Sequence, residues 1–226
     1  MNPFVTLKGC KVELRLGGLP AALTGSVAGW GQDVFILYSG SRYTYIPFRH
    51  IERLAPAGHK DRAGMTNTEA AAGDEGAIHE KVTSLRKILT YARGLFSEVY
   101  FSSGRPIYGY VSSVMNDYFI FCSPVYHTVA VSLQHLKYIS PCPATAAPYN
   151  LSPGQFTPRP SPVTLARTFE MQLRKLEGEL IIFNLGMLPG ETGVLATAGE
   201  QMLELTGEDG VSSYIPYEQI QSVHVP

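Results

Sequence analysis

The ten residues Tyr45-Ile46-Pro47-Phe48-Arg49-His50-Ile51-Glu52-Arg53-Leu54 return 169 positions later as Tyr214-Ile215-Pro216-Tyr217-Glu218-Gln219-Ile220-Gln221-Ser222-Val223. A weaker middle copy, Ala130-Val131-Ser132-Leu133-Gln134-His135-Leu136-Lys137-Tyr138-Ile139, lies halfway between them. Glycines keep the same spacing. Gly25, Gly109 and Gly193 are each 84 residues apart, and each begins a Gly-x-apolar strand pattern. Gly9, Gly94 and Gly178 are 85 and 84 apart, and each ends an apolar-periodic segment. Three landmarks holding one period identify three tandem copies of one small unit.

Each unit reads as a short helix, a glycine stop and a run of brief strands. In the third, Ser161-Pro162 has the form of an N-cap followed by a proline at the first helical position. Leu165, Phe169, Leu173 and Leu176 then make one helical stripe, with Glu170 and Arg174 paired at i, i+4 and Gly178 as the stop. In the middle unit Val82, Leu85, Ile88, Leu89 and Ala92 form the equivalent stripe before Gly94. The first unit keeps only a stub from Asn2-Pro3 to Gly9. The strands expected in unit one are Val12–Leu16, Ala22–Val27, Val34–Leu37, Arg42–Ile46 and Ile51–Leu54. Five short strands joined by brief turns should curl into a small antiparallel barrel, with the helix over one end.

The units are placed at 1–56, 80–142 and 162–226. Residues 57–79 are Ala, Gly and charge, a flexible linker by composition. Residues 143–161 carry Pro143, Pro148, Pro153, Pro158 and Pro160, a stiffer, extended connection. No stretch reaches the roughly 18 apolar residues of a membrane helix. Met1-Asn2-Pro3-Phe4-Val5 lacks the basic and apolar runs of a secretory signal. Cys10, Cys122 and Cys142, odd in number and without a C-x-x-C, argue against disulfides or zinc and for a reducing, cytoplasmic setting.

The helix, glycine stop, five strands and Gly-x-apolar second strand together resemble the Sm-like fold over all three units. Gly25-Ser26-Val27 followed by Asp33-Val34-Phe35-Ile36-Leu37 resembles the first Sm motif. Gly109-Tyr110-Val111 with Asp117-Tyr118-Phe119-Ile120, and Gly193-Val194-Leu195 with Gln201-Met202-Leu203, occupy the same places. The resemblance implies a mainly β protein with short N-terminal helices and three tandem five-stranded antiparallel barrels. An SH3-like barrel, as in PRC-barrel domains, is the competing fold. The Tyr-Ile-Pro-x-x-His-Ile signature more narrowly resembles a small Sm-like family of spore-forming bacteria, which implies spore-coat association for some members.

Sm-like proteins most often bind RNA, through Arg-Gly, or Tyr-Lys-His in the bacterial RNA chaperone, before the last strand. Here the three positions read Pro47-Phe48-Arg49, Ser132-Leu133-Gln134 and Pro216-Tyr217-Glu218, so the motif is lost. The net charge of −1 also lacks the cation excess that phosphate binding needs. RNA binding therefore stands as the alternative. Units one and two each hold six cations and three anions, whereas unit three holds three cations and nine anions. That asymmetry reads either as uneven solvated faces or as complementary docking of unit three on another unit.

The middle unit holds 11 of the 24 aromatic residues. Tyr108 and Tyr110 share one strand face, Phe119 and Phe121 another, and with few cations nearby these four are candidate packing or interface residues rather than a stacking platform. His50 and His135 are equivalent, and Gln219 replaces them in unit three, a swap that a backbone hydrogen bond tolerates and a metal or catalytic role does not. Ile51, Leu136 and Ile220 follow as repeat-defining structural positions, and the cysteines read as small buried residues. No catalytic, metal or cofactor motif is present. The expected function is a non-enzymatic structural or interaction protein, with a protein partner or self-association, including a homodimer that forms a six-unit ring.

Overall fold

The computed structural model describes residues 4–57, 84–101, 104–142 and 164–226. Both proposed linkers, the Ser161-Pro162 cap and Val82 lie outside these residues, apart from Ala57. Fifteen strands form the fold. The first five are β1 (Lys11–Leu16), β2 (Leu23–Trp30), β3 (Val34–Tyr38), β4 (Tyr43–Pro47) and β5 (Ile51–Pro56). They match the strands expected from the sequence to within a few residues. Next come α1 (Leu85–Tyr91), β6 (Phe96–Tyr100), β7 (Ile107–Val114), β8 (Tyr118–Ser123), β9 (His127–Ser132) and β10 (Tyr138–Pro141). Then follow α2 (Phe169–Arg174), β11 (Leu180–Phe183), β12 (Thr192–Ala198), β13 (Met202–Thr206), β14 (Ser212–Pro216) and β15 (Ser222–His224). The first unit has only a 3-10 turn, Val5–Leu7, where the others have a helix.

All strand pairs are antiparallel, and they join into one sheet in the order β14-β13-β12-β11-β15-β9-β8-β7-β6-β10-β4-β3-β2-β1-β5. Three sets of five are visible in that order, each running fourth, third, second, first, fifth. Three separate, self-closed barrels are not what forms. In no set does the fourth strand pair with its own fifth: β4 pairs with β10, and β9 with β15. In each set at least one of the two edges that would close it is spent on a neighbour, and among the described residues the sheet as a whole stays open.

Two glycine series set this geometry. Gly25, Gly109 and Gly193 lie on the second strands, where a Cβ would collide with the carbonyl oxygens of Tyr38, Cys122 and Thr206. Gly9, Gly94 and Gly178 have φ of 79°, 77° and 85°, the left-handed conformation that ends a helix and that glycine adopts without steric cost. Each second strand also carries a register shift at the same place: Val27/Gly29, Val111/Ser113 and Leu195/Thr197. A bulge repeated there bends the sheet identically three times.

The helices begin later than their apolar stripes suggest. Thr168 caps α2, its hydroxyl accepting from Met171 N at 3.3 Å. A second cap comes from the preceding unit: Asp117 Oδ1 accepts from Phe169 N at 2.8 Å, and Asp33 Oδ1 accepts from Leu85 N of α1 at the same distance. Both helices lie between sets. Leu85, Ile88, Leu89 and Ala92 share a core with Val34 and Ile36 of β3 and with Phe119, Phe121 and Val129. Phe169, Leu173 and Leu176 share another with Tyr118, Ile120 and Cys122 of β8 and with Leu203 and Leu205. Thus β3 and β8 are buried on both faces, one toward their own set and one toward the next. The third core joins Val12, Leu14, Phe35, Leu37 and Ile46 to Tyr100 and Tyr138. Of the cysteines only Cys122 is fully buried; Cys10 and Cys142 are half-buried, and all three are free thiols.

Candidate assembly interface

The repeat signature maps onto the joints between sets. Tyr45, Ile46 and Pro47 end β4, and Tyr45 pairs with Ile139 of β10. At the next joint Ala130 and Val131 of β9 pair with Val223 and Ser222 of β15. Tyr45 and Ala130 are equivalent, as are Ile139 and Val223, so the two seams share one register. Tyr214, Ile215 and Pro216 end β14, which among the described residues has no partner beyond β13.

His135 Nε2 lies 2.9 Å from the Glu218 carbonyl oxygen of the next set. His50 sits one repeat earlier against the backbone of Gln134, and its buried Nε2 meets no full hydrogen-bond partner among the described residues. Burial, and then the Lys137 ammonium, lower its pKa to about 4. Burial also lowers that of His135, against the opposing pull of the Glu218 carbonyl. Both histidines serve the seams. Leu136 and Ile220, the residues that follow at the equivalent positions, are buried, while Ile51 is half-buried.

Side-chain chemistry differs between the seams. At the first, Glu98 is only 4% exposed and receives three donors. The Arg42 guanidinium donates at 2.7 Å, Tyr138 Oη at 2.6 Å and Tyr108 Oη at 3.0 Å. Tyr108, one of the four candidate aromatics, has its pKa pushed up to about 12 by burial and then by the Glu98 charge. Ser140 Oγ also donates across this seam, to the Tyr43 carbonyl at 2.8 Å. At the second seam the equivalent positions are Ile182, His127, Ser222 and Thr192, with no such ion pair among the described residues.

The other three candidate aromatics are placed differently. Tyr110 packs edge-on against Phe96, with centroids 5.1 Å apart. Phe119 and Phe121 are wholly buried in the core that Val34, Ile36, Tyr43 and Tyr45 of the first set complete. The β8 face presented to the third set is the alternate one: Tyr118, Ile120 and Cys122. Tyr118 Oη donates to the Ala166 carbonyl at 2.7 Å. Both faces of β8 are apolar, and each packs against a different neighbouring set: Phe119 and Phe121 toward the first, Tyr118, Ile120 and Cys122 toward the third. Asp33 and Asp117 were noticed only as motif positions; their 84-residue spacing was the signal for the cap.

A cavity of about 380 Å³ opens beside the second seam, lined by His127, Lys175, Glu179 and His224 among others. Its Lys175 is held by the Thr164 carbonyl at 3.0 Å, and burial, then His127, lower the His224 pKa. Among the described residues no group of three His, Cys, Asp or Glu could hold a metal ion. No helix among them is long and apolar enough to cross a membrane.

Residues 168–223, which span α2 through β15 up to Val223, match a family model described as the YwrJ third domain. The whole chain is 34% identical over 220 residues to a protein of Bacillus subtilis (strain 168) described as uncharacterized protein YwrJ, covering 95% of each sequence. With similarity running through all three sets and both seams, the chain belongs to the YwrJ family.

Proposed function

We propose that this is a non-enzymatic structural or protein-interaction protein built from three Sm-like units, associated with the spore in sporulating cells. The observation that carries it is the use of the first and second sets as docking elements. Each offers its fourth strand to the next set and completes that set's core with its third. The Sm-like assignment rests on the strand order repeated three times, with a glycine of close backbone approach on each second strand. The positions where Sm proteins take up RNA carry Pro47-Phe48-Arg49, Ser132-Leu133-Gln134 and Pro216-Tyr217-Glu218 here, and the Glu218 carbonyl is engaged by His135 of the neighbouring set. Purification of the tagged chain from sporulating cells, with and without nuclease, tests the reading. A protein partner that survives nuclease is expected. RNA recovered in stoichiometric amount, and lost on nuclease treatment together with any partner, would replace it with the RNA-binding reading.

A further inference from the structure

The two seams fill the space between sets differently. At the first, Tyr43 and Tyr45 of β4 are buried in the core they share with Ile88 and Ala92 of the α1 segment. One repeat later Thr128 and Ala130 stand in their places, and the cavity of about 380 Å³ opens there. Leu176, in place of Ala92, returns only part of the lost volume. The cavity is walled by β8 and β9 of the second set and by α2 and β15 of the third, so it belongs to the seam itself.

Lost volume alone would leave an apolar void. Here the lining turns polar at the same time: Gln172 replaces Ile88, Lys175 replaces Tyr91, Glu179 replaces Leu95 and His224 replaces Ser140. Two of these polar groups are deep, Gln172 being 4% and His224 7% exposed. Oε1 of Gln172 accepts from Ala166 N at 2.8 Å and from Tyr118 Oη at 3.1 Å. Nδ1 of His224, in contrast, meets no hydrogen-bond partner among the described residues. The equivalent Ser140 Oγ at the first seam is satisfied by the Tyr43 carbonyl. Buried polar atoms are rarely left unpaired, and one that borders a cavity points to a bound group.

We infer that this cavity is a binding site for a free α-amino acid with an apolar side chain. Lys175 and Glu179 bring one charge of each sign to its rim, and they form no ion pair with one another. The Lys175 ammonium spends one of its three N–H donors on the Thr164 carbonyl and keeps two for a carboxylate. Glu179 receives the ligand's ammonium, and the imidazole of His224 donates to the carboxylate from the buried side. Ile120, Ala130, Leu176 and Val223, all buried, form an apolar floor for the side chain. A ligand of single charge would set either Lys175 or Glu179 against it. The volume lies at the small end of the roughly 300–1,000 Å³ found for ligand pockets, which suits a molecule of amino-acid size. Because both sets line the site, a bound ligand fastens the second seam, which lacks the ion pair of the first.

This site goes beyond the assembly reading, which names no small molecule, and the two can fail separately. Titration of the full chain with L-leucine and with L-phenylalanine, followed by backbone amide chemical shifts, should move α2, β9 and β15 saturably. Hydrogen exchange should slow in β9 and β15 and stay unchanged in β4 and β10, since a ligand protects the state that binds it. N-acetyl-L-leucine lacks the ammonium and L-leucinamide the carboxylate, so each should bind about tenfold more weakly than leucine. Ala130→Tyr, which copies Tyr45 of the first seam, should abolish binding without lowering the melting temperature. The exposed rim gives a second handle that leaves the packing alone. Glu179→Gln should weaken leucine about tenfold and leave N-acetyl-leucine unchanged, and Lys175→Gln should weaken leucine and leave leucinamide unchanged. No saturable shift with either amino acid up to its solubility would overturn the site. So would equal binding of leucine and both derivatives, or leucine affinity that neither rim variant changes.

Discussion

The first and second seams have the same backbone and opposite side chains. Tyr45 faces Ile139 as Ala130 faces Val223, and an aspartate 84 residues from its counterpart caps each following helix. Yet Glu98, Arg42, Tyr108 and Tyr138 at the first become Ile182, His127, Thr192 and Ser222 at the second. Strand pairing and the helix cap thus specify that two sets join and in which register. The buried charge adds identity, because Arg42 and Glu98 each meet a mismatched partner in any other arrangement.

The largest effect should come from the frame both seams share. Gly109→Ala puts a Cβ into the Cys122 carbonyl, backbone that cannot step aside, and should cost about 3 kcal/mol or more by denaturant unfolding. Gly25→Ala and Gly193→Ala should behave alike; a variant within about 0.5 kcal/mol of the parent would break the claim of a common frame.

Glu98→Gln separates the seams. It removes the charge paired with Arg42 and sets an amide NH2, which cannot accept, in place of the oxygen that takes the Tyr138 hydroxyl, at a cost of about 2 kcal/mol given that Arg42 is partly solvated. Hydrogen exchange should speed up in β4 and β10 and stay unchanged in β9 and β15. Equal loss of protection at both would mean the seams are not independent. Asp33→Ala and Asp117→Ala should each cost about 1 kcal/mol, as helix caps do, and match one another closely. Thermal unfolding of the pair tests whether the two helix docks are equivalent.

The remaining effect is titration, spread gradually over about two pH units. His50 is held neutral in the fold, with its pKa lowered to about 4 from 6.5 by burial and then Lys137. The unfolded chain therefore takes up the proton first, so stability is full above about pH 6.5 and declines as pH falls toward 4. His135 and His224 are shifted in the same direction and add to the decline. The melting temperature should drop between pH 7 and pH 5, and His50→Gln, which copies Gln219, should reduce that drop. An unchanged pH profile in this variant would remove His50 from the account.

Much of this was legible because it lies in local residues. The strands of unit one, the glycine stops and the second-strand glycines each leave a composition or spacing that chain physics dictates. Pairing between sets follows from the Sm-like resemblance, with its ring of units, and not from the residues at the seams, because it is made by backbone N–H and C=O groups that every residue carries. The face of β8 that meets the third set was hidden because both faces are apolar, so alternation could not choose between Phe119 and Ile120. The helix starts were placed too early because the capping aspartates stand 52 residues upstream, beyond any local signal.

The direction of those aspartate bonds bears on how the chain is made. Asp33 precedes the helix it receives, and so does Asp117. During synthesis, which delivers N-terminal parts first, each receptor surface is translated before the helix that needs it. Every new set therefore emerges onto a template already made, and the first, with a 3-10 turn in place of a helix, needs none. Order of birth and order of dependence coincide, which spares a repetitive chain the misregistered pairings that three near-identical sheets would otherwise invite.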